Sequence, residues 1–188
     1  MPRPGELFRL AAWVYLLLAI AGVAWIGLQR HGVEAALFLP ASPWWVDPLA
    51  GAGAALALVL GWQAARALPL AHRLEERLRA RLGTLSATEA WGLALLSGVA
   101  EEVFFRGAVQ PAWGYPVATL LFAALHSGRG REMLLWTASA LVAGAVLGGL
   151  MLWRHTLCAP ILCHVLVNGL QLHRLLVEDR PAGRSGTA

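Results

Sequence analysis

Six polar side chains stand in stretches that are otherwise apolar: Glu101, Glu102 and Arg106 in one stretch, His126 at the end of the next, and His164 and Asn168 in the last. Ionisable groups placed inside a hydrocarbon layer are costly, and they are usually functional or paired. Glu102 and Arg106 are four residues apart, share one helix face and can form an ion pair. Glu101 is rotated by about 100° from Glu102 and points elsewhere. Its neighbours one turn back, Ser97 and Gly98, are small and are expected to leave room for water. His164 and Asn168, also four apart, present two polar groups from one face. The expected set is one carboxylate neutralised by Arg106, one free carboxylate, and three neutral polar groups opposite it.

Such a set can carry out acid–base hydrolysis. A carboxylate held away from water suits a general base. His126 could hold the attacking water, while His164 and Asn168 could donate hydrogen bonds to the oxyanion formed on a carbonyl. No Ser, Cys or Lys nucleophile stands at this level, and Cys163, adjacent to His164, projects from another face. Each group also has a structural reading. Glu102–Arg106 alone could be a structural pair, and His164 with Asn168 could hold helices together. His155 and His173 lie near span ends and read as interfacial; His31 and His72 lie in connecting segments and read as solvated.

The elements that must position these groups follow from composition. The chain has 188 residues, 58% of them hydrophobic and only 14% charged, with a mean hydropathy of +0.60. A soluble domain would carry about a quarter charged residues. The apolar residues fall in blocks of roughly 20, the length that crosses a bilayer as helix. Composition therefore excludes a soluble enzyme, a disordered chain, a coiled coil and a disulfide scaffold. The expected fold is all-α: a polytopic membrane helix bundle of about six transmembrane segments with an interfacial amphipathic helix. One catalytic transmembrane domain is expected over 1–177, with a disordered polar tail at 178–188.

The first block, about 10–28, is longer than the core of a signal peptide and reads as a retained span. Asp47-Pro48 reads as an N-cap followed by Pro, opening a second span that stops at Pro69. Residues 71–82 repeat Leu every fourth position between Arg and Glu, which suits either the membrane surface or a solvated connecting helix. Ser86 and Glu89 have capping-box spacing and open the third span, which is expected to end at Pro111. The fourth stretch, 116–126, covers only about 16 Å unless it continues past Gly130. The fifth and sixth spans run over about 133–152 and 156–177. Counted from Trp91, Pro116 and Trp153 as interface markers, Glu101, His126 and His164 all lie about 15 Å deep, near mid-bilayer.

The fifteen basic residues are all Arg, for a net charge of +4. Twelve of them fall on one side of this arrangement, against Arg30 and Arg154 on the other, with Arg106 inside a span. Arg in excess marks the cytoplasmic side, so both termini are expected there. The high pI reflects this bias and does not point to nucleic acid. Cys158 and Cys163 face different sides of one helix and are not expected to bridge.

At the polar residues a resemblance becomes specific. Glu101-Glu102-Val103-Phe104-Phe105-Arg106 reads EExxxR, Phe122 to His126 reads FxxxH, and His164 to Asn168 reads HxxxN. In order and spacing these resemble the CAAX protease and bacteriocin-processing (CPBP) family of intramembrane glutamic endopeptidases, to which the Ras-converting prenyl-protein endopeptidase belongs. The resemblance implies that Glu101 activates water with His126, that His164 and Asn168 form the oxyanion hole, and that Glu102 and Arg106 support the site. It implies no cofactor, and a membrane-embedded, membrane-tethered or lipidated protein or peptide as substrate. With the abundance of Ala, Gly and Arg it also suggests a bacterial inner membrane. Two other readings compete. Glu101, His126 and His164 could ligate Zn²⁺ in a metal-dependent protease. Alternatively the cluster could serve a non-catalytic immunity or scaffold protein.

Overall fold

The computed structural model describes residues 5–30, 35–82 and 85–177. His31 and the tail at 178–188 lie outside the described residues. The described residues form helices and no strand: α1 (Glu6–Arg30), α2 (Val46–Ala65), α3 (Pro69–Leu82), α4 (Ala87–Glu102), α5 (Tyr115–Leu125), α6 (Arg131–Arg154) and α7 (Cys158–Val177). A 3₁₀ turn (Ala35–Phe38) lies between α1 and α2, and α4 runs on through a π-helical segment (Val103–Val109) and a last turn (Gln110–Trp113). Three helices, α1, α2 and α6, are long and apolar enough to cross a membrane by length and composition. Large apolar side chains such as Leu10, Trp13, Leu17, Leu56, Leu120 and Val142 cover the outside. The fold is a helical membrane bundle, in which backbone polar groups are satisfied within each helix.

Small residues let the helices approach closely, as expected where burial of apolar area does not drive association. Gly51 packs on the Ala159 carbonyl, Gly98 on Val165 and Gly169 on the Trp91 ring. These contacts also fix chain direction. Phe8 lies at Gly92 and Gly22 at Phe104, so α1 and α4 run parallel; the Gly98–Val165 and Gly169–Trp91 contacts make α7 antiparallel to α4.

Several boundaries differ from those the sequence suggests. Pro111 does not end the third span. The helix continues to Trp113 and stops at Gly114, whose φ of 86° only glycine adopts freely. Pro111 has no N–H to donate and crowds the preceding turn. The helix ahead of it is widened, and the Gln110 N–H bonds the Phe105 carbonyl. Asp47 is not an N-cap. α2 begins at Val46, and the Asp47 carboxylate instead accepts from the Ala41 N–H (2.6 Å) and from Arg154 Nε (2.8 Å). Pro69 opens α3, the helix position that Pro tolerates best.

α3 does not stand free in solvent. It buries Ala71, Leu74 and Glu75 against the bundle and leaves His72, Arg73 and Glu76 exposed. Buried Glu75 ties three helices together: it accepts from Trp62 Nε1 (2.9 Å) and pairs with Arg66 (3.2 Å) of α2 and with Arg174 of α7. Burial pushes its carboxyl up, but the Trp62 hydrogen bond and the charges of Arg174 and Arg66 outweigh it, so the net displacement is below the ordinary 4.5. A carboxyl lowered in the folded state stabilises at pH above its unfolded value, and that stability is lost as pH falls through its folded value. Thermal stability in detergent is therefore expected to weaken below about pH 4.5 in the wild type, with a smaller acid response in Glu75→Gln. At neutral pH that variant should lose about 1–3 kcal/mol.

Candidate active site

The third span carries the acidic groups and is set from its first turn. Ser86 Oγ accepts from the Glu89 N–H (3.2 Å) while the Glu89 carboxylate accepts from the Ser86 N–H (2.8 Å), the reciprocal cap that the spacing predicts. Four turns later Glu101, Glu102 and Arg106 are all buried. Arg106 Nη1 donates to Glu102 Oε1 at 3.0 Å, Nη2 donates to the Gly144 carbonyl of α6 at 3.0 Å, and the guanidinium lies 4.5 Å over the Phe122 ring. A buried charge survives only when paired and hydrogen-bonded in this way. The π-helical segment begins directly after the two glutamates. Such segments recur at functional sites.

α5 and α7 bring the imidazoles to Glu101. α5 stops after 11 residues, and His126 is its C-terminal cap. The fourth stretch is thus a half-length helix of about 16 Å ending at the acidic pair. His126 Nδ1 lies 2.8 Å from the Phe122 carbonyl. A carbonyl only accepts, so the Nδ1 proton is held there and a neutral ring presents a bare Nε2. That Nε2 is 3.9 Å from Glu101 Oε2. From α7, His164 Nδ1 reaches Glu102 Oε1 at 2.7 Å, and its Nε2 is 4.0 Å from the same Glu101 Oε2. The Phe122 ring packs against both imidazoles, with centroids 4.6 Å from His126 and 5.8 Å from His164. Thr137 of α6 donates to the His126 carbonyl at 3.1 Å. The loop that follows is held from α3, whose Arg77 donates to the Arg129 carbonyl (2.6 Å) and pairs with Glu132.

Two details differ from the sequence reading. The space foreseen beside Ser97 and Gly98 is filled. A Cβ on Gly98 would lie 2.6 Å from Val165 Cγ2, and Ser97 Oγ accepts from Asn168 Nδ2 at 3.0 Å. Asn168 therefore spends one amide N–H on Ser97 and retains a second. Gly98→Ala is expected to push α7 from α4, lowering stability by about 1–3 kcal/mol and carrying His164 away from Glu101. A melting temperature unchanged in detergent would contradict this.

The structure gives Phe122, which the sequence marked only as the first residue of FxxxH, a place as the ring on which Arg106, His126 and His164 all pack, and it adds a group that the sequence did not single out. Tyr15 of α1 faces Glu101 and interacts with its carboxylate. A lone Tyr in an apolar first span was the available signal for it. Cys163 is buried among Ala55, Leu147, Leu150 and Ala159, and both cysteines are free. Among the described residues no group of three or more His, Cys, Asp or Glu side chains has the geometry to hold a metal ion.

The arrangement brings two imidazoles to one oxygen of a carboxylate, beside a second carboxylate already committed to Arg106 and His164. Residues 84–170 match the family described as type II CAAX prenyl endopeptidase Rce1-like, a family of proteases. No curated protein and no solved structure matches the chain. The matched segment runs from just ahead of the α4 cap into α7 and contains Glu101, Glu102, Arg106, His126, His164 and Asn168. Over that segment, somewhat under half of the 188 residues, the chain is similar to the Rce1-like type II CAAX prenyl endopeptidase family.

Proposed function

We propose that this protein is a glutamate-dependent intramembrane endopeptidase that hydrolyses a peptide bond in a membrane-embedded or membrane-tethered protein or peptide. The observation that carries this reading is the approach of two imidazole Nε2 atoms, at 3.9 and 4.0 Å, to the one Glu101 oxygen that is buried and accepts no hydrogen bond from the protein. A water between them donates one hydrogen to Glu101 and the other to His126 Nε2, which leaves an oxygen lone pair for a carbonyl carbon. Glu101 takes the proton as the C–O bond forms and delivers it to the amine as the C–N bond breaks. The oxyanion is met by His164 Nε2–H and by the remaining N–H of Asn168. With both His164 nitrogens protonated, Glu101, Glu102, Arg106 and His164 sum to zero charge, which a low-dielectric site favours. In this reading Glu102 holds His164 by its Nδ1 proton and Arg106 holds Glu102.

The substrate approaches from the lipid bilayer, and the Arg-rich end of the bundle, with both termini, faces the cytoplasm. Proteomic comparison of membranes from cells carrying wild-type protein and Glu101→Gln tests the function. New internal or C-terminal ends that appear only with the wild type identify the substrate. Identical peptide ends in the two membranes would remove the proposal. Hydrolysis that persists in chelator is expected, whereas the zinc reading requires its loss.

A further inference from the structure

α1 runs along α4 in parallel, with Phe8 at Gly92, Gly22 at Phe104 and Ile26 at Gly107. Between these contacts the two helices leave an open cavity of about 250 Å³, lined by Tyr15, Leu16 and Ala19 of α1 and by Leu95, Val99 and Ala100 of α4. Tyr15 supplies the one polar group in this lining, and Ala100 is the residue next to Glu101. The half-buried Tyr15 phenol interacts with the Glu101 carboxylate. Glu101 needs such a contact. At 3.9 and 4.0 Å neither imidazole is within hydrogen-bond length, and Oε2 accepts no bond from the protein. A glutamate has three side-chain torsions, and a base acts only from a fixed orientation.

We propose that Tyr15 is a positioning residue whose hydroxyl donates a hydrogen bond to Glu101 and keeps the carboxylate turned toward His126 and His164. A neutral phenol suits this task, since it supplies a donor without a charge in the bilayer. The proposal rests on the peptidase reading for its kinetic consequence. It makes α1, which lies outside the matched residues 84–170, a part of the active site.

The test is Tyr15→Phe in the full-length protein, which keeps the ring and removes the oxygen. Once the proteomic comparison has supplied a substrate peptide, kcat is expected to fall roughly ten- to a hundred-fold with KM held within about two-fold. An infrared band assigned to Glu101 by its loss in Glu101→Gln is expected to shift in Tyr15→Phe. It should stay in place in Leu16→Ala, which enlarges the same cavity and keeps the hydroxyl. An unchanged kcat, a KM that rises in step with the loss, or a Glu101 band that does not move would each overturn the proposal. The infrared measurement needs no turnover. A wild type without peptidase activity would therefore remove the proposed function while the band still decides the Tyr15–Glu101 contact.

Discussion

Glu101→Gln is expected to lower peptide-bond hydrolysis by roughly a hundred- to ten-thousand-fold while leaving the folded bundle intact. The substitution is nearly isosteric, and Glu101 makes no ion pair with Arg106 that its loss would break; Arg106 is committed to Glu102 and Gly144. Losing the carboxylate charge beside the doubly protonated His164 leaves one uncompensated positive charge in the site, so melting in detergent should fall modestly while the bundle still folds. What disappears is the proton acceptor for the water. His126→Ala removes the second acceptor and is expected to cost about as much, and His164→Ala should lose roughly a hundred- to a thousand-fold through the oxyanion. Because these groups act on one water and one carbonyl, the double variant Glu101→Gln/His126→Ala should be scarcely worse than either single variant. Turnover of a substrate peptide at the wild-type rate by Glu101→Gln would end the proposed mechanism.

Arg106→Met is expected to be the most destabilising single change in the site, by about 3–5 kcal/mol, because it leaves Glu102 buried with only His164 beside it. It also removes the cation from the Phe122 ring and the donor from the Gly144 carbonyl. Breaking one side of a buried pair costs more than replacing both, so Glu102→Leu/Arg106→Met should recover much of the lost stability. Activity should not recover with it. In the double variant His164 has lost the acceptor at Nδ1, 2.7 Å away in the native site, that fixes its ring. Melting temperature in detergent and turnover, measured side by side, separate these effects. A double variant no more stable than Arg106→Met would show that Glu102 does not depend on Arg106 for its burial.

The polar residues, their helical spacing and the apolar blocks around them are properties of the chain alone, and they were legible because a charge in hydrocarbon is costly wherever it falls. The Glu102–Arg106 pair follows from four-residue spacing, and the cap at Ser86 and Glu89 follows from three-residue spacing. The class of fold follows from block length and hydropathy. Packing decided the rest. Spacing along α4 could not show that Val165 occupies the place of a Gly98 side chain or that Asn168 spends an N–H on Ser97, since both partners come from α7. A local rule made Asp47 a cap; a partner more than a hundred residues away, Arg154, took its carboxylate instead. Pro111 broke the hydrogen-bond ladder as its chemistry requires, but the continuous helix absorbed the break as a π segment and went on to Gly114. Tyr15 reaches Glu101 only through the register of α1 on α4. One helix's periodicity fixes which of its own residues share a face, whereas which face meets which is settled by the close contacts of small residues between helices.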